Sequence, residues 1–175
     1  QVCDAPRFSN CTGTIAVTLQ RRTSSLSETH AAGRELATLL EPGDIILLSG
    51  QLGAGKTALT QGIAAGLGVS ERVTSPTFTL VRQHACSVES GITTLHHADV
   101  YRTNSLDEIE DLALHELVEQ GGVAIIEWGE MAEPLLGAAA WRIRFEVIDD
   151  EVRDIIIDES SVGTRLDGVR EWTSK

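Results

Sequence analysis

The spacing of apolar positions changes repeatedly along the chain, and each change marks an element. Thr14 to Leu19 sets Ile15, Val17 and Leu19 between Thr and Ala, a period of two that predicts a strand with one buried face. Ser25 and Glu28 stand three apart ahead of Leu36, Leu39 and Leu40, and Pro42–Gly43 follows, so a capped helix is predicted over roughly 27–41. Ile45-Ile46-Leu47-Leu48 is apolar without alternation, as in a parallel-sheet strand covered on both faces. Ala58 to Leu67 has helical composition and stops at Gly68, while Val123 to Ile126, after Gly121–Gly122, reads as a second central strand. Further strands are predicted at Thr79–Val81 and Thr94–Arg102. Residues 1–13 have no periodicity and are read as a disordered leader, and residues 159–175 as a flexible tail.

Composition narrows the class. A chain of 175 residues with 42% hydrophobic and 23% charged residues has the makings of one packed domain. No uncharged apolar run approaches the roughly 20 residues that cross a bilayer, and the first residues lack the order of a signal peptide, so no membrane contact and a cytoplasmic location are expected. Cys3, Cys11 and Cys86 have no metal-ligand spacing and are read as free thiols. A net charge of −12 disfavours direct binding of nucleic acid. Nine acids and no Lys or Arg lie between Arg102 and Arg142, which is either a solvated helix surface or a docking surface for a basic partner.

The apolar run at 45–48 leads into Gly50-Gln51-Leu52-Gly53-Ala54-Gly55-Lys56-Thr57, a match to the G-x-x-x-x-G-K-S/T phosphate-binding loop in its strand-loop-helix context. Glycines let the backbone turn sharply and aim its N–H groups at phosphate oxygens, and the following helix adds its positive end. The nucleotide-binding candidates are therefore Gln51, Leu52, Gly53, Ala54, Gly55, Lys56, Thr57 and Ala58. Lys56 supplies charge for the terminal phosphates and the Thr57 hydroxyl is placed to ligate Mg²⁺. Apart from Lys175 at the chain end every other base is Arg, so a lone internal Lys at this point is informative.

Such a loop needs a second acid for the metal, and Glu127 at the end of Val123–Ile126 is the candidate, against the alternative of a solvated strand-end glutamate. Glu130 and Glu133 fit the surface of a following short helix, and Trp128 either packs beside the nucleotide or fills the core. Thr74-Ser75-Pro76-Thr77-Phe78 is a hydroxyl-rich turn in which Ser75 or Thr77 could sense phosphate, or else an ordinary Ser-Pro turn. The C-terminal end of the Thr94–Arg102 segment delivers Asp99 on the ligand side, a candidate for orienting or deprotonating the attacking water. His96 and His97 are adjacent, point to opposite faces of a strand, and are read as packing residues rather than a joint metal site. Arg102 is a candidate arginine finger or a surface ion-pair partner.

The phosphate loop, Ser75-Pro76-Thr77-Phe78, His97-x-Asp99-x-Tyr101-Arg102 and Ile126-Glu127-Trp128-x-Glu130, in this order, resemble the TsaE (YjeE) family over about residues 14–158. The resemblance implies a P-loop NTPase-like α/β fold, a mostly parallel central sheet flanked by helices in a single domain. It further implies weak ATP hydrolysis with ATP and Mg²⁺, inside a complex with TsaB and TsaD that makes tRNA threonylcarbamoyladenosine. The chain would then meet tRNA only indirectly. In the family pattern Lys56 and Thr57 match the loop lysine and metal-ligating threonine, Glu127 the Walker B acid, Asp99 an aspartate implicated in hydrolysis, and Ser75 to Phe78 the switch-like segment. The catalytic set is thus Asp99, Lys56 and Glu127, and the metal set Thr57 and Glu127. Gln51 departs from the family's usual acid. The rivals are a small-molecule kinase using the same loop and a nucleotide-gated binding module without essential turnover.

Overall fold

The computed structural model describes residues 18–76, 80–103, 105–137 and 139–175. The strands are β1 (Thr18–Thr23), β2 (Ile45–Ser49), β3 (Val81–Ala85), β4 (Thr94–Asp99), β5 (Val123–Glu127), β6 (Ala140–Val147) and β7 (Arg153–Asp158). The helices are α1 (Leu26–Ala37), α2 (Lys56–Gly66), α3 (Leu106–Glu110), α4 (Leu114–Glu119), α5 (Glu133–Leu136) and α6 (Leu166–Thr173). The strands form one sheet in the order β1-β7-β6-β2-β5-β4-β3. At its centre β6, β2, β5 and β4 run parallel. β3 pairs antiparallel with β4 at one edge, and β7 and β1 add antiparallel strands at the other. The expected α/β class with a mostly parallel sheet is what the chain forms.

The central strands are buried on both faces, as their unbroken apolar runs require. Ile46 and Leu48 of β2, with Val123 and Ile125 of β5, join the core under α1 and α2. Ile45 and Leu47, with Ala124 and Ile126, join a second core under α3, α4 and α5. The period of two thus divides the side chains of these two neighbouring apolar strands between two helical layers.

α1 begins where the sequence signal places it. Ser25 Oγ accepts the Glu28 N–H and the Glu28 carboxylate accepts the Ser24 N–H, which satisfies two backbone donors at the helix start. The helix ends at Ala37 rather than near 41, because Leu39 and Leu40 donate to the carbonyls of Leu36 and Ala37 in a tighter turn. α1 and α2 cross at near-backbone contact: a Cβ on Gly62 would lie 2.3 Å from the His30 carbonyl oxygen, and one on Gly33 2.5 Å from that of Leu59. Only glycine fits at either position.

The strand predicted at Thr94–Arg102 ends at Asp99, and the one predicted at Thr79–Val81 is found at Val81–Ala85, residue 79 falling outside the described residues. Two larger expectations need correction. The described part of the first strand, Thr18–Thr23, runs beyond the predicted end at Leu19, while residues 14–17 fall outside the described residues, as does the 1–13 leader. Pairing with β7 explains the inclusion of two arginines. Arg22 makes a two-pronged contact with Asp154 at 2.7 and 2.8 Å, and Arg21 donates to Glu35 at 2.7 Å and to the Trp172 carbonyl. The second correction concerns residues 159–175, which form two 3-10 turns and α6 instead of a flexible tail. Val162, Val169 and Trp172 are buried in the larger core, the Trp172 indole N–H donates to the Ala32 carbonyl at 2.9 Å, and Arg165 bridges Glu41 and Asp44. Asp167, Arg170 and Glu171 lie on the exposed face of α6, and Val169 and Trp172 on its buried face, so the helix is amphipathic.

Trp172→Ala removes a buried indole and its hydrogen bond, and is expected to lower stability by about 3–5 kcal/mol. The check is a shift in the urea midpoint at unchanged m-value. A loss under about 1 kcal/mol would mean that α6 is peripheral to the fold.

Candidate functional site

β2 delivers the chain to the carboxyl edge of the sheet, and the loop from Gly50 to Gly55 then turns it into α2. Gly50, Gly53 and Gly55 all have positive φ, of 133°, 77° and 110°. At Gly55, the cap of α2, space is also short, since a Cβ there would lie 3.2 Å from Arg153 Cδ. The first intrahelical bond runs from the Leu59 N–H to the Gly55 carbonyl. The N–H groups of Gly55, Lys56, Thr57 and Ala58 therefore have no acceptor within the helix and form a positive rim.

Lys56 is only 4% exposed. Its Nζ donates to the Gly50 and Gln51 carbonyls and lies 3.9 Å from the centroid of the Trp128 indole. Burial holds its ammonium below the usual lysine range, opposed by the nearby carboxylates of Glu127, Glu130 and Asp99. The loop thus carries a partly desolvated cation satisfied by carbonyl dipoles.

Register places the acids. Glu127 pairs with Leu48 on one side and with Asp99 on the other, so both carboxylates leave the sheet at the same edge beside the loop. Glu127, at 3% exposed, accepts the Thr57 hydroxyl at 2.8 Å and the His97 Nε2 at 2.8 Å, both on Oε1. Asp99 accepts the Ser75 hydroxyl at 2.7 Å on Oδ2 and the Tyr101 N–H at 3.1 Å on Oδ1. Ser75 of the proline turn is therefore tied directly to the acid at the end of β4. Trp128 has φ of 62° and stacks on Tyr101 with ring centroids 4.6 Å apart. A left-handed conformation is costly for an aromatic residue, and here it turns the indole toward Lys56.

These groups face one cavity of about 500 Å³. The candidates lining it are Leu52, Gly53, Ala54, Gly55, Lys56, Thr57 and Ala58 of the loop, then Ser75, Asp99, Glu127 and Trp128. Gln51 is not in the lining, and its carbonyl rather than its side chain reaches Lys56. Thr77 lies outside the described residues. Glu130 and Glu133 are exposed, as their surface reading requires. Tyr101 and Arg102 also line the cavity. Tyr101 was given no role from the sequence, although its place two residues after Asp99 carried the signal. His97 is fully buried, as a packing residue is, and it also holds Glu127.

Among the described residues no group of three or more His, Cys, Asp or Glu side chains could hold a metal ion. The hard oxygens of Thr57 and Glu127, 2.8 Å apart, are a donor set that fits Mg²⁺, which completes its shell with waters and phosphate oxygens. No helix among the described residues is long and apolar enough to cross a membrane. Eight of the nine acids between Arg102 and Arg142 are exposed, and the ninth is Glu127.

The family model described as "Threonylcarbamoyl adenosine biosynthesis protein TsaE" matches residues 23–155. The tRNA threonylcarbamoyladenosine biosynthesis protein TsaE of Bacillus subtilis is 38% identical over 157 residues, which cover 90% of this chain and 94% of that protein. The protein of the same name from Streptomyces coelicolor is 46% identical over 130 residues, covering 71% and 86%. The crystal structure of Bacillus subtilis YdiB aligns with a TM-score of 0.71 at 32% identity, over 93% of this chain and 97% of that one. A glycine loop, a buried lysine and two strand-end carboxylates around one cavity thus coincide with a family match over most of the sequence, and the chain belongs to the TsaE family of threonylcarbamoyl adenosine biosynthesis proteins.

Proposed function

We propose that the chain is a Mg²⁺-dependent ATPase that resets or activates the TsaB–TsaD machinery of tRNA threonylcarbamoyladenosine formation, and that it works in the cytoplasm without touching tRNA itself. The observation that carries this reading is the convergence of Lys56, the Thr57–Glu127 pair and Asp99 on one cavity at the positive end of α2. Residues 52–58 would hold the triphosphate, their backbone N–H groups donating to its oxygens, and Lys56 would exchange the Gly50 and Gln51 carbonyls for phosphate oxygens. Thr57 and Glu127 would hold Mg²⁺, which would neutralise charge on the terminal phosphates. Asp99 orients the attacking water and accepts its proton, once Ser75 releases Oδ2. Trp128, beside Lys56, packs against the nucleotide. With both Asp99 oxygens engaged, turnover by the chain alone is slow, and a partner that moves the Ser75 turn accelerates it. The exposed acids on α3, α4 and α5 offer a docking face for a basic partner surface.

Asp99→Asn is expected to keep ADP affinity within about threefold while the release of inorganic phosphate from ATP falls by about 10²- to 10³-fold. Unchanged hydrolysis would remove Asp99 from the chemistry, and loss of affinity alone would make it a binding residue.

Nucleotide binding draws the Lys56 ammonium from the Trp128 face, so indole fluorescence is expected to change on adding ADP and the change to vanish in Trp128→Phe. Trp141 and Trp172, both buried in the larger core, supply the constant background. The same titration checks the charge state. Because burial lowers the Lys56 pKa and a bound phosphate raises it again, binding takes up a proton in the alkaline range. ADP affinity therefore falls as pH rises through the lowered pKa. A pH-independent affinity across that range would contradict a role for the Lys56 charge.

A further inference from the structure

We propose that His97 is a positioning residue of this site: its Nε2–H holds the Glu127 carboxylate turned toward Thr57 and so fixes the oxygen pair that receives the divalent cation. This rests on the reading of Thr57 and Glu127 as the metal pair.

The placement follows from strand geometry. His97 and Asp99 are two residues apart on β4, so their side chains share a face, and β4 runs parallel to β5 with His97 opposite Ile125 and Asp99 opposite Glu127. His97 thus lies one step behind the cavity, fully buried, with Nε2 2.8 Å from Glu127 Oε1. That oxygen is also 2.8 Å from the Thr57 hydroxyl.

The direction of the bond is set by the available groups. A carboxylate offers only acceptors, so the hydrogen sits on Nε2. Nδ1 is buried with no hydrogen-bond partner, and as a bare acceptor it costs less there than a buried N–H without an acceptor would. The ring therefore enters the site as a fixed donor.

A glutamate has three rotatable side-chain bonds, and a buried carboxylate keeps one orientation only while donors on the surrounding walls hold it. Among the described residues, the donors bonded to Glu127 are the Thr57 hydroxyl and His97 Nε2. A cation that takes a lone pair of the Thr57 oxygen leaves its O–H free to donate, so Thr57 and His97 then hold the carboxylate together, His97 being the donor anchored in the sheet. Partners that orient a ligand in this way change metal affinity by about 10- to 100-fold.

The test compares His97→Met, which fills similar space without a donor, with His97→Gln, whose amide nitrogen can stand where Nε2 stands. Mn²⁺ binding to the full chain saturated with ADP is followed by the loss of the free-ion paramagnetic resonance signal, and ADP affinity is measured separately in EDTA. His97→Met is expected to weaken Mn²⁺ at least about tenfold, and His97→Gln to restore it to within about threefold of the parent. Affinity for ADP in EDTA stays the same in both. Parental Mn²⁺ affinity in His97→Met overturns the proposal, as does equal loss in both variants, or loss of ADP affinity in EDTA alongside Mn²⁺. If His97→Met does not fold, His97→Gln decides alone: near-parental Mn²⁺ affinity supports the proposal and a tenfold loss overturns it. Glu127→Gln separates the two levels of the argument. If it leaves Mn²⁺ affinity unchanged, the metal pair itself is wrong and the role of His97 falls with it; if it weakens Mn²⁺ while His97→Met does not, only His97 is wrong.

Discussion

A strand buried on both faces can release its chain only at an end, and β2 is such a strand. Ile45 to Leu48 are committed to two cores at once, so the backbone turns at the carboxyl edge, through glycines that tolerate positive φ and close neighbours. The turn leaves the first N–H groups of α2 facing outward. β4 and β5, parallel to β2 or to each other, end at the same edge and bring Asp99 and Glu127 to it. The chemistry gathers there because the hydrophobic layering leaves no other place for these backbone and side-chain groups. This is the ligand-side geometry expected of open α/β sheets.

The electrostatics follow from the same burial. Lys56 is desolvated, which disfavours its charge, and it is compensated by two carbonyls, an indole face and nearby carboxylates rather than by one tight ion pair. An arrangement of several weak partners can be exchanged for phosphate oxygens without leaving a charge uncompensated. The Thr57–Glu127 and Ser75–Asp99 bonds are of the same kind, since each pairs a hydroxyl with an acid that a ligand or water could claim instead.

The parts of this site that belong to one contiguous motif were legible in the sequence. Gly50 to Thr57 announces its own geometry, and the apolar run before Glu127 and the strand pattern around Asp99 locate both acids near strand ends. What could not be read depends on pairing across the sheet. The contact of His97 with Glu127 arises from the β4–β5 register, which a linear sequence does not state. The extension of β1 through Arg21 and Arg22 depends on Asp154 and Glu35, respectively 132 and 14 residues away from their partners. Likewise the eight residues of α6 offer too few turns for a strong periodic signal, and Trp172 becomes a core residue only once α1 presents the Ala32 carbonyl to it.

The account stands most directly on whether the glycine loop and Lys56 grip a magnesium-bound triphosphate. Isothermal calorimetry of the folded chain with ATP and Mg²⁺ is expected to give one saturable site, and Lys56→Ala, verified as folded, to weaken it by at least about tenfold. An absence of heat from the intact chain across several temperatures, or a Lys56→Ala variant that binds as tightly as its parent, would contradict it.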